Sequence, residues 1–130
     1  MRKQEPLNTL QQFLNQKTIS LKTRKRDRTW VATPVNIAVE DDHAYIRTYR
    51  GSGKSKRLRN FSEAEIAPST FRGRATGPYI NARVLLLSGD EARHAADLLA
   101  RKHPLIHGML VPLFHRMKGY TTEHYRVTVC

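Results

Sequence analysis

Short runs of β-branched and aromatic residues constrain the fold of this chain more than any other feature. The clearest run is TWVATPVNIAVE at 29–40, in which every second residue from Thr29 to Val39 lies on one face. This alternation is typical of a strand that buries one side. Similar runs predict strands at 18–22, 43–49, 63–70, 73–87 and 121–129. Because tight turns join the short strands, we predict an antiparallel barrel with flanking helices and not a βαβ layout.

Prolines interrupt two of the predicted strands. Pro34 has no N–H to donate, so we expect its strand to bulge or to leave the hydrogen-bonded ladder there. Gly77 and Pro78 predict a bend within the long strand at 73–87.

Helical periodicity marks segments on both sides of the strands. A stripe of apolar residues at Leu7, Leu10, Phe13 and Leu14 predicts a helix over 7–16. A second helix is predicted over 88–103 by the apolar face Ala92, Ala95, Ala96 and Leu99.

Local signals support the second helix and a third helical segment. Ser88, with Glu91 three residues later, has the spacing of a capping box. The apolar segment 104–117 is predicted to be helical in part. It either packs in the core or covers a ligand pocket or a dimer contact.

Length and composition narrow the class of protein. The 130 residues fit a single domain, which we take to span 1–130. Cys130 is the only cysteine, which excludes a disulfide framework and, with no apolar leader at the start, predicts a cytoplasmic protein. No apolar run approaches the ~20 residues that span a bilayer, and we expect no membrane partner. The net charge of +12 attracts anions without choosing between nucleic acid, acidic surfaces and small polyanions.

The stretch GSGKS at 51–55 resembles the end of a nucleotide-binding P-loop. That pattern, G-x-x-x-x-G-K-[ST], needs its first glycine at position 48, which is Thr48. We therefore reject a P-loop.

The same stretch still predicts an anion site. Gly51 and Gly53 let backbone N–H groups face a ligand, and the start of a following helix adds partial positive charge. Six cations lie at 47–59 with no acid among them: Arg47, Arg50, Lys54, Lys56, Arg57 and Arg59. Charge-assisted hydrogen bonds contribute about 1.5–3 kcal/mol each, so two or three hold a phosphate. The alternative is a solvated basic turn, but the placement of the glycines favours the anion site.

Three motifs together resemble a known family. They are TWVATPVNIAV at 29–39, SGKSKRLRN at 52–60 and RGRATGPYINARVLLL at 72–87. They are similar to the pyridoxamine 5′-phosphate oxidase-like (PPOX) proteins, and most of all to the branch that uses the deazaflavin coenzyme F-420. The resemblance extends from about Leu7 to Val129.

The resemblance implies a fold, an activity and a set of site residues. The implied fold is an FMN-binding-like split β-barrel of about six antiparallel strands, mainly β, which forms a homodimer with coenzyme at the subunit interface. The implied activity is hydride transfer between F-420 and a small organic substrate. By the family pattern, Ala32, Thr33 and Pro34 lie along the ring, Thr48 and Tyr49 border the ring and ribityl chain, and Ser52, Gly53, Lys54, Lys56 and Arg57 bind the phosphate. The basic surface suits the oligoglutamate tail of F-420.

Two other classes of function are kept as alternatives. The first is the same fold with FMN, as an oxidoreductase or a flavin-binding protein. The second is a basic binding protein without redox activity, either a coenzyme carrier or a nucleic-acid binder. The basic run KTRKRDR at 22–28 and the aromatics Trp30, Tyr45 and Tyr49 speak for a nucleic-acid binder, although a solvated hairpin turn is favoured for this run.

No residue is assigned to catalysis or to a metal. Hydride transfer is chemistry of the coenzyme and needs no protein acid, although His43, Tyr45 and Tyr49 are conceivable proton donors. His103 and His107 have i, i+4 spacing, with His115 further along, but surface histidines are the preferred interpretation.

Overall fold

The computed structural model of the chain describes residues 10–104 and 121–130. Its strands are β1 (Thr18–Arg24), β2 (Trp30–Asn36), β3 (Ala38–Glu40), β4 (His43–Tyr49), β5 (Glu63–Pro68), β6 (Ile80–Leu86) and β7 (Thr122–Val129). Helix α1 (Gly53–Asn60) follows β4, and helix α2 (Gly89–Lys102) follows β6. Residues 10–15 form a further helical turn.

The seven strands form one sheet in the order β2-β1-β5-β6-β7-β4-β3, and all neighbouring pairs are antiparallel. The edge strand β2 approaches β4, which lies beside the opposite edge, so the sheet curls into a half-barrel. The predicted antiparallel barrel with flanking helices is confirmed, and so is the split-barrel architecture.

The curled sheet encloses the main core. Alternate strand residues such as Ile19, Leu21 and Ile66 are fully buried there together with Leu10 and Phe13. Leu58 of α1 joins this core. A second, smaller cluster lies under α2, where Ala95 and Leu99 pack against Ala38 and Tyr45. Helix α1 therefore belongs to the main core, whereas α2 packs on the strands β3, β4 and β7.

The predicted strand at 29–40 is divided into two. It breaks at the buried Ile37, whose N–H donates to the carbonyl of Lys17 at 3.2 Å. Residues before the break pair with β1, and residues after it pair with β4 at the other edge of the sheet. The alternation also changes there, because Ile37 and Ala38 are both buried. This division raises the number of strands from the predicted six to seven.

The predicted bulge at Pro34 is wrong. The register between β1 and β2 runs one-to-one from Thr18↔Asn36 to Arg24↔Trp30 and passes through Ser20↔Pro34. Since β2 is an edge strand with a single neighbour, it is a position where a sheet tolerates proline.

The two strands on either side of residues 69–79 are shorter than predicted. The strand predicted at 63–70 ends at Pro68, and the one predicted at 73–87 begins at Ile80. Between them the N–H of Gly73 donates to the carbonyl of Thr70 at 2.9 Å in a turn. The predicted Gly77–Pro78 bend thus lies in a loop and not within a strand.

The predicted helix at 88–103 is confirmed as α2, and Ser88 is its N-cap residue. The capping box is not formed, because the Ser88 side chain makes no capping hydrogen bond. The Glu91 carboxylate instead accepts from Arg126 at 2.8 Å. Of the predicted apolar face, Ala95 and Leu99 are buried and the remaining two alanines are half-buried.

Several sequence predictions concern the ends of α2 and of the chain. The expectation of a surface position is wrong for His103, which is buried with its Nε2 3.1 Å from the carbonyl oxygen of Ile37. His107, His115, the segment 105–117 and Leu7 lie outside the described residues. Within the described ranges, neither α1 nor α2 has the length and apolar character to cross a bilayer.

Candidate functional site

The turn between β4 and α1 forms the start of the candidate site. Gly51 adopts φ +88°, in the left-handed region that favours glycine, and reverses the chain. Ser52 then caps α1, its Oγ accepting from the N–H of Ser55 at 3.0 Å. The hydroxyl of Thr48 lies 2.9 Å from the same Oγ. These buried hydroxyls fix the first turn of the helix, which contains no acidic residue.

A basic cavity of about 620 Å³ opens between α1 and the β1–β2 turn. It is lined by Lys25, Arg26, Val31, Gly53, Lys56, Arg57, Arg59 and Asn60. Five of these eight residues are cations and none is acidic. A concave surface of this charge concentrates anions, and we refer to it below as the basic cavity.

Arg57 is fixed at the mouth of this cavity. Its Nε donates to the hydroxyl of Thr23 on β1 at 2.6 Å, which ties α1 to the sheet. Its guanidinium also lies over the start of the helix, because a Cβ at Gly53 would stand 2.7 Å from Arg57 Nη1. Burial lowers the pKa of Arg57. Glycine at position 53 therefore makes room for a guanidinium beside the helix N-terminus.

Lys54 lies beside Arg57, as their spacing of three residues predicts for a helix. Burial, and then repulsion from Arg57, lower the pKa of the Lys54 ammonium. Within the described residues no carboxylate forms an ion pair with either side chain. A bound anion would relieve the repulsion between the two cations and favour their charged forms.

Glu123 lies beneath α1 and was not predicted from the sequence. Although only 6 % exposed, its carboxylate accepts from the hydroxyls of Ser55 at 2.7 Å and Tyr125 at 2.9 Å. It also accepts from Arg50 Nε at 3.3 Å and lies 3.9 Å from Arg59 Nη2. Two of the six cations of the basic segment thus have a buried counter-charge. The signal in the sequence was an acid on the same face of the predicted strand as Tyr125 and Val127.

The residues predicted to lie along the ring occupy a different place. Ala32 and Pro34 are exposed on β2, whereas the Oγ1 of Thr33 is buried and has no hydrogen-bond partner within the described residues. None of the three lines the basic cavity, to which β2 contributes Val31. Pro34 instead lines a separate cavity of about 280 Å³ that also includes Phe71. The structure therefore groups Thr48, Ser52, Gly53, Lys54, Lys56 and Arg57 around the start of α1 and leaves the contact with a ring as a prediction.

Two of the three conceivable proton donors, His43 and Tyr45, lie in another polar cluster on β4. His43 contacts the Asp42 carboxylate through Nδ1 and the Tyr45 hydroxyl through Nε2, both at 3.0 Å. Burial, with the charges of Glu91 and Glu40, raises the pKa of Tyr45 to about 12. Neither His43 nor Tyr45 lines the basic cavity. Across residues 10–104 and 121–130, no group of three histidine, cysteine or acidic side chains is arranged to hold a metal ion.

The aromatic residues near the basic turn are already covered by arginines. Arg24 stacks 4.7 Å above the ring of Trp30, and Arg28 lies 5.7 Å from the centre of the Phe61 ring. Asp27 is used within the turn, where it accepts from the N–H and the hydroxyl of Thr29. An arginine thus already lies over one face of Trp30 and of Phe61, and that face is not free to stack a nucleobase.

Comparison with known proteins supports the fold. No protein-family model and no curated protein sequence matches the chain. Among solved structures, a candidate pyridoxamine 5′-phosphate oxidase from Listeria innocua superposes with a TM-score of 0.66 at 11% identity, covering 96% of this chain and 94% of that one. The heme storage protein HutZ from Vibrio cholerae gives a TM-score of 0.66 at 10% identity, with 98% and 92% coverage. An FAD-binding protein from Mesorhizobium loti gives 0.57 at 15% identity, with 98% and 90% coverage.

The fold and the comparisons define a split β-barrel, the architecture of the structures just named. The similarity covers nearly the whole chain, so the fold implied by the sequence motifs is confirmed. At such low identity the similarity establishes the architecture alone. The proteins that share it also differ in the ligands for which they are named, and function has to be argued from the site.

Proposed function

We propose that this protein is a cytoplasmic oxidoreductase that uses the deazaflavin coenzyme F-420 to exchange a hydride with a small organic substrate. The observation that carries the proposal is the basic cavity at the start of α1, with five lining cations and no lining acid. The proposal assigns this cavity to the phosphate of a redox coenzyme, because five cations without a lining acid suit a bound anion.

The residues around α1 suit a phosphate group. Arg57 and Lys54 provide charge beside the helix N-terminus, and Gly53 leaves room there for the Arg57 guanidinium. When bound, the coenzyme supplies the hydride chemistry, while the chain binds, orients and shields it from water. We infer that Thr48 and Tyr49 border the ring and ribityl chain and that Ala32, Thr33 and Pro34 contact the ring. A second copy of the chain then completes the site.

The cations on the β1–β2 turn favour F-420 over FMN. Lys25 and Arg26 line the basic cavity in addition to the residues assigned to the phosphate. Within the described residues neither has an acidic ion-pair partner. FMN ends at its phosphate, whereas F-420 continues from the phosphate into an anionic oligoglutamate tail. The extra cations therefore suit the longer polyanion.

FMN remains the second candidate, because one structure of the same fold is described as an FAD-binding protein. Titration of the purified protein with F-420 and with FMN, followed by fluorescence, separates the two. We expect F-420 to saturate at one molecule per chain with a Kd below about 50 μM. Tighter binding of FMN would assign the flavin instead, and no binding of either coenzyme at that level would refute the redox assignment.

A basic binding protein without redox activity makes different predictions. A nucleic-acid binder would bind many sequences with an affinity that falls steeply as salt rises. A coenzyme carrier would bind F-420 but would not turn over any substrate. Electrophoretic mobility shifts measured over a range of salt, together with the coenzyme titration, distinguish these outcomes from the proposed enzyme.

A further inference from the structure

We propose that Glu123 is a specificity-determining residue that limits how much negative charge the basic cavity accepts. A buried carboxylate under an anion site has the wrong sign for binding, so it needs a separate explanation. This inference rests on the proposed anion-binding function of the cavity.

The contacts of Glu123 divide between two roles. Through Oε1 it accepts hydrogen bonds from Ser55 and Tyr125, which anchor α1 on β7. Through Oε2 it faces Arg50 and Arg59. The first role requires an acceptor oxygen, whereas the second requires a negative charge. A glutamine retains the first and loses the second.

Arg59 links this carboxylate to the cavity. It lines the basic cavity, yet its Nη2 lies 3.9 Å from Glu123 Oε2 and donates to the Ser55 hydroxyl at 3.2 Å. Its charge is thus partly neutralised from below. Lys25, Arg26, Lys56 and Arg57 have no ion-pair partner within the described ranges. Glu123 therefore restrains one of the five lining cations and leaves the other four available to a ligand.

The test compares two inorganic anions of different charge, phosphate and pyrophosphate, by calorimetry at fixed ionic strength. In Glu123→Gln the released Arg59 should strengthen pyrophosphate binding more than phosphate binding. We expect the ratio of the two Kd values to change by about threefold or more in favour of pyrophosphate, the range of a partly exposed ion pair. Adding Arg59→Ala to this variant should return the ratio to that of the wild type.

Two further variants keep the test decisive. Glu65→Gln removes an acid that lies on β5, near Lys22, and should leave the ratio unchanged. Arg59→Ala alone, with Glu123 in place, should weaken the binding of both anions and shift the ratio by less than threefold, because the carboxylate already restrains Arg59. An unchanged ratio in Glu123→Gln, or a threefold loss of pyrophosphate preference in Arg59→Ala alone, overturns the inference.

The coenzyme proposal fails by a different measurement. If the wild-type protein binds both inorganic anions but neither F-420 nor FMN, the proposed function is refuted and the proposed role of Glu123 is not. A wild-type protein that binds neither inorganic anion overturns both proposals.

Discussion

Gly53 shows how a single atom sets the geometry of the site. Most residues at the start of a helix carry a Cβ, but here that atom would stand 2.7 Å from Arg57 Nη1. The contact involves only the end of a flexible side chain, so a substitution would displace the guanidinium and leave the backbone in place. Gly53 lies in a regular helix, without the positive φ of Gly51 or Gly89. We therefore expect a substitution at Gly53 to affect the proposed ligand binding more than the stability of the fold.

Replacement Gly53→Ala should separate binding from stability. Alanine has the higher helix propensity, but Gly53 is the first residue of the helix and displacement of Arg57 disturbs its bond to Thr23, so the free energy of unfolding should change by less than about 1 kcal/mol. Coenzyme affinity should fall several-fold because Arg57 is displaced. Denaturant unfolding and coenzyme titration measure the two effects. Gly89→Ala is the control. It should lower the free energy of unfolding, because the φ of +61° disfavours alanine, and it should leave coenzyme affinity unchanged, because Gly89 lies outside the basic cavity. Equal coenzyme affinity in Gly53→Ala and the wild type would contradict this role.

The double variant Lys54→Ala/Arg57→Ala tests the phosphate site directly. Removal of both cations should weaken coenzyme binding tenfold or more, which corresponds to about 1.4 kcal/mol. The matched control is Arg83→Ala/Arg101→Ala, which removes the same net charge from exposed positions on β6 and α2. If the control loses as much affinity as the test variant, the effect comes from the overall charge and not from this site.

The elements around the cavity are held together by polar side chains as well as by the core. Arg57 of α1 bonds to Thr23 of β1, and Ser55 of α1 bonds to Glu123 of β7. On the neighbouring strand, Arg47 of β4 donates its Nε to His124 Nε2 at 3.1 Å, and the two residues are direct partners across the β4–β7 ladder. This last bond requires a neutral imidazole, so it links the pairing of the two strands to pH.

Stability should fall between about pH 6.5 and pH 4 because of His124. Burial, and then the charge of Arg47, lower the pKa of His124 to about 4, well under the ordinary value of 6.5. Between these two pH values the unfolded chain therefore binds more protons than the folded chain, and the free energy of unfolding rises with pH. The stability is complete above pH 6.5 and is lost as the pH falls towards 4. The full shift corresponds to at most about 3 kcal/mol.

Urea unfolding of the wild type and of His124→Asn at pH 7 and pH 5 measures this effect. The variant should be less stable at pH 7 but should lose less stability on going to pH 5. His43→Asn is the control, because His43 is half-buried and bonded to the exposed Asp42. If His124→Asn and the wild type lose the same stability over this interval, His124 is not the group responsible.

Features of this molecule that depend on neighbouring residues could be predicted from the sequence, whereas features that depend on distant contacts could not. Alternation placed most strands, helical periodicity placed α2 and the glycine turn at 51–53 indicated the start of α1, because these signals act over a few residues. The capping box predicted from Ser88 and Glu91 is not formed. The break at Ile37 could not be predicted, since it depends on which sheet edge each half of the run 29–40 joins. Glu123 was missed for the same reason: it is 68 residues from Ser55 in the chain, and only the insertion of β7 between β6 and β4 brings them together. The residues proposed to bind a phosphate could be grouped from the sequence because they lie in one continuous segment.

The proposed site also involves assembly, because the family resemblance implies a homodimer with the coenzyme at the interface. The described chain leaves large apolar side chains exposed, with Phe71 79% and Leu86 58% accessible, which is compatible with a covered surface. We expect sedimentation velocity to give a particle of twice the 15.0 kDa chain mass. If the coenzyme contacts both subunits, linkage requires that it shift a dilute monomer–dimer mixture towards the dimer. Inorganic phosphate, which fills only the site at α1, should leave that equilibrium unchanged. A chain that stays monomeric when saturated with coenzyme would exclude an interfacial site, and the ring would then have to bind within one subunit.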